Sequence, residues 1–185
     1  MKTVVVPIAE GFEEIEAISI IDVLRRAEIN VITACVDGCV EARGAHGIVV
    51  RTDTDIKNIH SDEIDMIVLP GGWGGTKILA HNETVQSLLK SMDEKNKFIG
   101  AICAAPYALD KAGVLKEKYT CYPSIENEIH SSTYDGCKRV IKDQNILTSK
   151  GPATAMCFGL EIVKTLLGED VKERVRAGLL ADFCD

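Results

Sequence analysis

This sequence lacks the features that mark membrane proteins and nucleic-acid-binding proteins. None of its apolar runs approaches the roughly 20 residues that a helix needs to cross a bilayer. Lysine and arginine together number 21, against 28 aspartate and glutamate residues, so the net charge is −7. Because phosphate backbones and anionic membranes are bound by clustered cations, we expect neither nucleic acid nor a membrane as a partner.

The N-terminal segment also lacks the pattern of a secretory signal. Met1–Ala9 contains one lysine and a short apolar stretch that Pro7 interrupts, and the acidic residues Glu10, Glu13 and Glu14 follow. A signal peptide has a longer apolar region and a small-residue cleavage site. We therefore expect a cytoplasmic protein.

The cysteines are odd in number and scattered, and none forms a C-x-x-C pair. This spacing indicates neither a zinc site nor a disulfide framework. In a reducing compartment we expect most of them to be small buried hydrophobic residues. The seven are Cys35, Cys39, Cys103, Cys121, Cys137, Cys157 and Cys184.

Nucleotide and metal motifs are absent as well. Gly75-Thr76-Lys77 stands where a phosphate loop needs G-K-[ST], and no G-x-G-x-x-G follows the first predicted strand. None of the four histidines has metal-ligand spacing. The prediction is a protein without cofactor or metal, in which His46, in a loop just before a strand, could line the rim of a site.

What the sequence does contain is an alternation of strands and helices. Stretches rich in β-branched residues recur at Lys2–Ile8, Asn30–Val36, Gly47–Thr52, Asp65–Leu69, Lys97–Cys103, Lys138–Ile141 and Asn145–Ser149. Helical patterns occupy Phe12–Glu28, Asn82–Lys95, Ala104–Ala112 and Gly151–Leu167. The alternation predicts one α/β domain over residues 1–185, with a mostly parallel sheet covered on both faces. Asp37–Gly47 and Lys138–Asn145 are predicted to be a hairpin or edge elements.

Three strand-to-helix turns carry the candidate chemistry. They are Pro70–Gly75, Cys103–Pro106 and Lys150–Thr154. In open α/β sheets, ligands bind outside the carboxyl ends of the strands. We therefore expect these turns to meet at one rim of the sheet.

Cys103 is the candidate nucleophile. It lies between a predicted strand and a helix whose first turn contains Pro106, and the small residues Gly100 and Ala104 flank it. Small neighbours permit a sharp turn and the approach of a substrate. A helix N-terminus is expected to lower the pKa of the Cys103 thiol. The alternative is a buried cysteine that ends a core strand.

Glu16 is the candidate acid. It shares a helical stripe with Ile20, Val23 and Ala27, which should face the core. Burial would raise the pKa of Glu16, and the protonated carboxyl could then donate a hydrogen bond to a thiolate. The alternative is a first-turn glutamate that bends out to solvent.

The Gly71-Gly72 pair follows the predicted strand Asp65–Leu69. Two glycines leave backbone N–H groups accessible, which suits an oxyanion hole. A flexible turn is the alternative explanation for the pair.

Four ordered segments, Glu13–Glu16, Leu69–Gly72, Ala101–Pro106 and Thr148–Pro152, resemble the ThiJ/PfpI superfamily, and most closely its parkinsonism-associated protein deglycase group with bacterial relatives. The resemblance implies a flavodoxin-like three-layer sandwich, like that of class I glutamine amidotransferases, and usually a homodimer. It implies that Cys103 is the nucleophile and Glu16 its hydrogen-bonding acid. It also implies an oxyanion pocket made by the N–H groups of Gly72 and Ala104. Gly71, the other glycine of the pair, is expected to line the site.

One position departs from the family pattern. Many members place a histidine near the cysteine, just before a proline, where this chain has Tyr122 before Pro123. A phenolic hydroxyl donates a hydrogen bond but is a poor base at neutral pH. A Cys–His dyad, and with it peptidase activity, is therefore not expected, although Tyr122 is placed to line the site.

Two functions fit these residues. The first is a cofactor-independent glyoxalase or protein deglycase, in which Cys103 attacks a 2-oxoaldehyde or its adduct with an amine or thiol. The second is an oxidative-stress sensor or chaperone, in which Cys103 is oxidised and Glu16 stabilises the product. The same residues serve both functions, so the sequence leaves them open.

Overall fold

The computed structural model describes residues 1–36, 38 and 40–184. Two positions inside the predicted hairpin region, Asp37 and Cys39, lie outside the described residues. The strands, in chain order, are β1 (Thr3–Ile8), β2 (Asn30–Cys35), β3 (Glu41–Arg43), β4 (Val49–Arg51), β5 (Thr54–Asp55), β6 (Met66–Leu69), β7 (Phe98–Ile102), β8 (Lys118–Tyr119), β9 (Thr133–Tyr134), β10 (Val140–Asp143) and β11 (Ile146–Ser149).

Seven of these strands form the central sheet, in the order β10-β11-β7-β6-β1-β2-β5. Every neighbouring pair is parallel except β10 with β11, which is antiparallel and lies at the edge of the sheet. The predicted strand at Gly47–Thr52 lies outside this sheet. It becomes β4, which pairs with β3 as an antiparallel hairpin.

The helices are α1 (Glu14–Arg26), α2 (Trp73–His81), α3 (Glu83–Glu94), α4 (Pro106–Ala112), α5 (Ala155–Leu167) and α6 (Glu169–Leu179). The sequence pattern did not predict α2 or α6. The first turn of α2 contains two glycines, which have low helix propensity, and α6 is dominated by charged residues. The helix α2 therefore depends on packing against the rest of the molecule more than on local preference, whereas the charged sequence of α6 offers few apolar residues from which a helical stripe could be recognised.

The sheet is buried on both faces, which gives the three-layer flavodoxin-like arrangement that the sequence predicted. Side chains of β1 alternate between the layers: Val4 and Val6 pack with α1 and α5, whereas Val5 packs with α2, α3 and α4. On the first face α5 packs closely against α1, because Gly159 lies opposite Val23. A Cβ atom at Gly159 would lie only 2.9 Å from Val23 Cγ1. This contact fixes the helix that carries Glu16.

The expectation that the cysteines form no disulfide is wrong. Cys157 in α5 and Cys184, beyond the end of α6, are bonded to each other across a sequence separation of 27 residues. The chain after α6 folds back onto α5, which pattern-based inspection of cysteine spacing does not detect. Cys103, Cys121 and Cys137 are free thiols.

No helix within the described part of the chain is both long enough and apolar enough to cross a lipid bilayer.

Candidate functional site

Cys103 directly follows β7 and adopts a backbone conformation that residues other than glycine seldom adopt, with φ of 63°. Its neighbours hold it there from both sides. The Cys103 N–H donates to the carbonyl of Ser149 at 3.0 Å, and the Tyr122 N–H donates to the carbonyl of Cys103 at 2.9 Å. The side chain is therefore fixed in direction at the carboxyl end of the sheet, with 9% of the residue exposed.

Glu16 is completely buried in the first turn of α1. The side chain of Glu13 caps this helix by accepting the N–H of Glu16 at 2.7 Å. One carboxyl oxygen of Glu16, Oε2, accepts the N–H of Gly71 at 2.8 Å. The other, Oε1, has no partner with full hydrogen-bond geometry among the described residues, and the Cys103 thiol interacts with this carboxyl as a looser hydrogen bond. The carboxyl is thus positioned between a backbone donor and the sulfur.

Glycine is required at both positions of the Gly71-Gly72 pair. A Cβ atom at Gly71 would lie 2.5 Å from Cys103 Cβ and 2.6 Å from Glu16 Oε2. Gly72 has φ of 88°, and a Cβ atom there would lie 2.4 Å from the carbonyl oxygen of Gly11. The pair is therefore a close-packed turn, which excludes the flexible turn considered from the sequence.

Two backbone N–H groups, those of Gly72 and Ala104, are directed at the sulfur of Cys103, where they favour the thiolate. The fold thus brings Cys103, Glu16, Gly71, Gly72 and Ala104 to one point, although they come from three separate segments of the chain. An anionic oxygen bonded next to the sulfur would meet the same donors.

Burial dominates the protonation of the site. It raises the pKa of Glu16 to about 7, although the hydrogen bonds with Cys103 and Gly71 act in the opposite direction. Burial, followed by the negative charge of Glu16, also raises the pKa of the Cys103 thiol well above its ordinary value, and this outweighs the N–H groups of Gly72 and Ala104. The expected lowering of the thiol pKa is therefore wrong, because ionisation of either group opposes ionisation of the other.

His46 lies against Glu14. Its ring Nδ1 is 2.9 Å from Glu14 Oε2, and its backbone N–H donates to Glu14 Oε1 at 2.7 Å. This contact raises the pKa of His46. With Glu13, these residues form the described group closest to metal-ligand geometry, with ligand atoms within 4.8 Å of one another. The carboxylates already accept hydrogen bonds from His46 and the start of α1, and none of the three residues lines the cavity at Cys103.

Tyr122 is half-exposed and lines a small cavity at the sulfur, with a volume of about 280 Å³. The cavity is lined by Trp73, Cys103, Ala104, Tyr122, Ser124 and Ile125. Sequence reasoning did not assign Trp73, Ser124 or Ile125 to the site. Trp73 belongs to the glycine-rich turn that the sequence singled out, whereas nothing in the pattern around Ser124 distinguishes it from an ordinary loop residue.

Both the sequence and the fold of this chain are similar to those of known proteins. The model of the DJ-1/PfpI family matches residues 2–165. Drosophila melanogaster Protein dj-1beta is 39% identical over 98% of this chain and 98% of its own length, and the crystal structure of Drosophila DJ-1beta has a TM-score of 0.93 at 39% identity, covering 97% of each chain. A Caenorhabditis elegans protein named glutathione-independent glyoxalase DJR-1.2 is 35% identical over 87% of this chain and 86% of its own length. The structure of oxidized Toxoplasma gondii DJ-1 has a TM-score of 0.92 at 34% identity, covering 97% of this chain and 98% of its own.

Proposed function

Because this chain belongs to the DJ-1/PfpI family, we propose that it is a cofactor-independent glyoxalase or protein deglycase that uses Cys103 as its nucleophile. The observation that carries this proposal is the contact between Cys103 and a buried carboxyl whose pKa is about 7. An acid–base group works best when its pKa lies near the working pH, since both protonation states are then populated. The name of the Caenorhabditis elegans relative supports the same reaction class.

The first step forms a hemithioacetal. Cys103 Sγ bonds to the aldehyde carbon of a 2-oxoaldehyde, and the thiol proton passes to the ionised carboxylate of Glu16. The negative charge that develops on the aldehyde oxygen is stabilised by the N–H groups of Gly72 and Ala104. Glu16 then returns the proton to that oxygen.

The second step moves hydrogen between the two carbons of the substrate. Glu16 removes the proton from the former aldehyde carbon, the electron pair moves towards the neighbouring carbonyl, and an enediol forms. Reprotonation at the second carbon gives a thioester of Cys103, which water hydrolyses to a 2-hydroxy acid and the free thiol. One carbon is oxidised and the other reduced, so the reaction needs no external redox cofactor.

The raised pKa of the thiol is compatible with this mechanism. Each unit by which the thiol pKa is raised lowers the thiolate fraction about tenfold, whereas the nucleophilicity of the thiolate rises only about threefold, so Glu16 must take the thiol proton as the sulfur attacks. Catalysis must then come from the oxyanion donors and from proton transfer by Glu16, each worth on the order of 10²-fold or more. The cavity of about 280 Å³ suits a small aldehyde or the tip of a glycated side chain.

The test is turnover of methylglyoxal by Glu16→Gln and Cys103→Ser. Gln keeps an acceptor for the Gly71 N–H but cannot exchange a proton, so kcat should fall by about 10²-fold or more. Cys103→Ser should abolish 2-hydroxy acid formation. Wild-type turnover by Glu16→Gln would exclude Glu16 as the proton relay, and wild-type turnover by Cys103→Ser would exclude an essential role for the thiol.

A second candidate function is redox sensing by Cys103. The two N–H groups that face the sulfur would also hold the oxygens of a sulfinate, and Glu16 could donate to them when protonated. Glu16→Gln separates the two functions, because its amide still contacts an oxidised sulfur. Peroxide oxidation of Cys103, followed by intact mass, should then persist in a variant that no longer converts methylglyoxal.

The homodimer is part of the same proposal. Ile15 and Ile18 on α1 are exposed by 58% and 45%, and the adjacent hairpin presents Ile48 and Val49. The hairpin loop is hydrogen-bonded to the start of α1, so these side chains can belong to one apolar surface. Light scattering at micromolar concentration should give twice the chain mass; a monomer would contradict the proposal.

A further inference from the structure

The Cys157–Cys184 disulfide lines a second cavity, of about 370 Å³. Cys103 and Glu16 are not among its lining residues, so this cavity is distinct from the candidate active site. Its volume falls in the range of small-molecule sites. Three apolar side chains, Val140, Leu147 and Leu160, form part of the wall.

The charge of this cavity is opposite to that of the whole protein. Four cationic side chains and one carboxylate line it: Lys138, Arg139, Lys142, Lys172 and Glu161. Lys172 Nζ is 2.9 Å from Glu161 Oε1, so these two charges compensate each other. Lys138, Arg139 and Lys142 are exposed and form no ion pair with any residue that the structure describes. In a chain of net charge −7, three uncompensated cations around one cavity favour an anionic ligand.

The cationic side chains and the disulfide, a bond that a thiolate can cleave, line the same cavity. Cys184 belongs to the segment after α6, and Arg139 donates a hydrogen bond to the carbonyl of Phe183 in that segment. One of the cations therefore holds the segment that carries Cys184. An anionic ligand in the cavity would lie beside both cysteines, which line it although each is largely buried.

We propose that this cavity is a thiol–disulfide exchange site for a small acidic thiol, that is, a low-molecular-weight thiol that carries at least one carboxylate. The cations bind the carboxylate and attract the thiolate, while the apolar wall contacts the carbon chain. A non-thiol anion would bind the same cations but would leave the disulfide intact.

The exchange is balanced without any further reagent. The thiolate of the ligand bonds to one of the two Sγ atoms and breaks the Cys157–Cys184 bond, whose electron pair leaves on the other Sγ. That thiolate takes a proton from water, and the product is a mixed disulfide. A second molecule of the thiol can release the modified cysteine and leaves as its own disulfide, so the ligand is the reductant.

The test compares three thiols of similar size and different charge: mercaptoacetate, 2-mercaptoethanol and cysteamine. Acid quench and peptide mapping measure the rate at which each thiol cleaves the Cys157–Cys184 disulfide. Each rate is divided by the concentration of thiolate and then by the rate at which the same thiol cleaves a small uncharged disulfide. Mercaptoacetate should react about tenfold faster than cysteamine at low salt. The ratio should approach one at roughly 1 M salt, where exposed charges are screened.

Charge variants locate the effect. The double variant Lys138→Gln/Lys142→Gln should remove most of the preference for mercaptoacetate, and it should fold because both side chains are exposed. Lys57→Gln/Lys90→Gln removes the same charge from exposed positions that do not line this cavity and should leave the preference unchanged. Equal normalised rates for the three thiols would overturn the proposal. Free thiols at both Cys157 and Cys184 in the isolated protein, or an unchanged preference in Lys138→Gln/Lys142→Gln, would do the same.

Discussion

Gly71→Ala adds one methyl group at the point where the two reactive side chains approach each other most closely. The new Cβ atom would lie 2.5 Å from Cys103 Cβ, 2.6 Å from Glu16 Oε2 and 3.0 Å from the carbonyl oxygen of Ile102. Ordinary contacts begin near 3.4 Å, so the two side chains must separate from this position by about 1 Å. The backbone of Gly71 does not require a positive φ, so the effect is purely steric.

Both stability and activity should fall. Overpacking of a buried site costs about 1–3 kcal/mol in the free energy of unfolding. A displacement of about 1 Å at a reacting group costs on the order of 10²-fold in rate. We therefore expect Gly71→Ala to unfold at lower denaturant concentration and to lose about 10²-fold in kcat/KM for methylglyoxal, measured where the variant is still fully folded.

Gly178→Ala is the matched control, because it makes the same substitution where a Cβ atom meets nothing within 4 Å. Gly178 lies within α6, so alanine should raise the free energy of unfolding by about 0.5–1 kcal/mol and leave kcat/KM unchanged. Wild-type activity in a folded Gly71→Ala protein would refute the close approach of Glu16 and Cys103 on which the mechanism depends.

Three further predictions concern protonation and the cavity rim. The raised pKa of Glu16 means that the unfolded chain releases this proton before the folded one. The free energy of unfolding of wild type relative to that of Glu16→Gln should therefore fall by about 3 kcal/mol between about pH 4.5 and pH 7 and stay constant above pH 7. Denaturation of both proteins at several pH values measures this difference, and a difference that does not change with pH would contradict the burial of an acid. Tyr122→Phe should change kcat/KM by less than about threefold, because the contact with Cys103 uses the backbone N–H of Tyr122; a larger loss would assign a role to the hydroxyl. His46→Gln should leave the pH profile of kcat/KM unchanged, since the ring contacts Glu14; a shifted profile would place His46 in the reaction.

Much of the fold was predictable because its central strands are buried on both faces. Continuous β-branched runs located β1, β2, β6 and β7 to within a residue or two at each end. The two-residue strands β5, β8 and β9 carry too little pattern to be detected, and their pairing depends on how distant segments meet. Local sequence therefore predicts the core of the sheet better than its margins.

The candidate site, like the fold, was predictable only where its features depend on local sequence. The burial of Glu16 and the direction of its pKa shift followed from its helical stripe, because position on a helix face is a local property. The pKa of Cys103 did not follow, since it is raised first by the burial of the sulfur among segments that are distant in sequence and only then by the charge of Glu16. The Cys157–Cys184 bond was missed for a similar reason: the path of the chain after α6 is set by tertiary packing.

The left-handed backbone at Cys103 lowers the stability of the fold but positions the thiol for its reaction. With φ of 63°, this position would accommodate glycine with least strain, and any other side chain there costs on the order of 1 kcal/mol or more. The chain holds a thiol where its own backbone preference disfavours one. The strain is present before any substrate binds. The free-energy cost of orienting the sulfur therefore lowers the stability of the folded protein and does not add to the activation barrier. A chain released from the need for this thiol would gain stability by substituting glycine, and would lose its nucleophile in the same substitution.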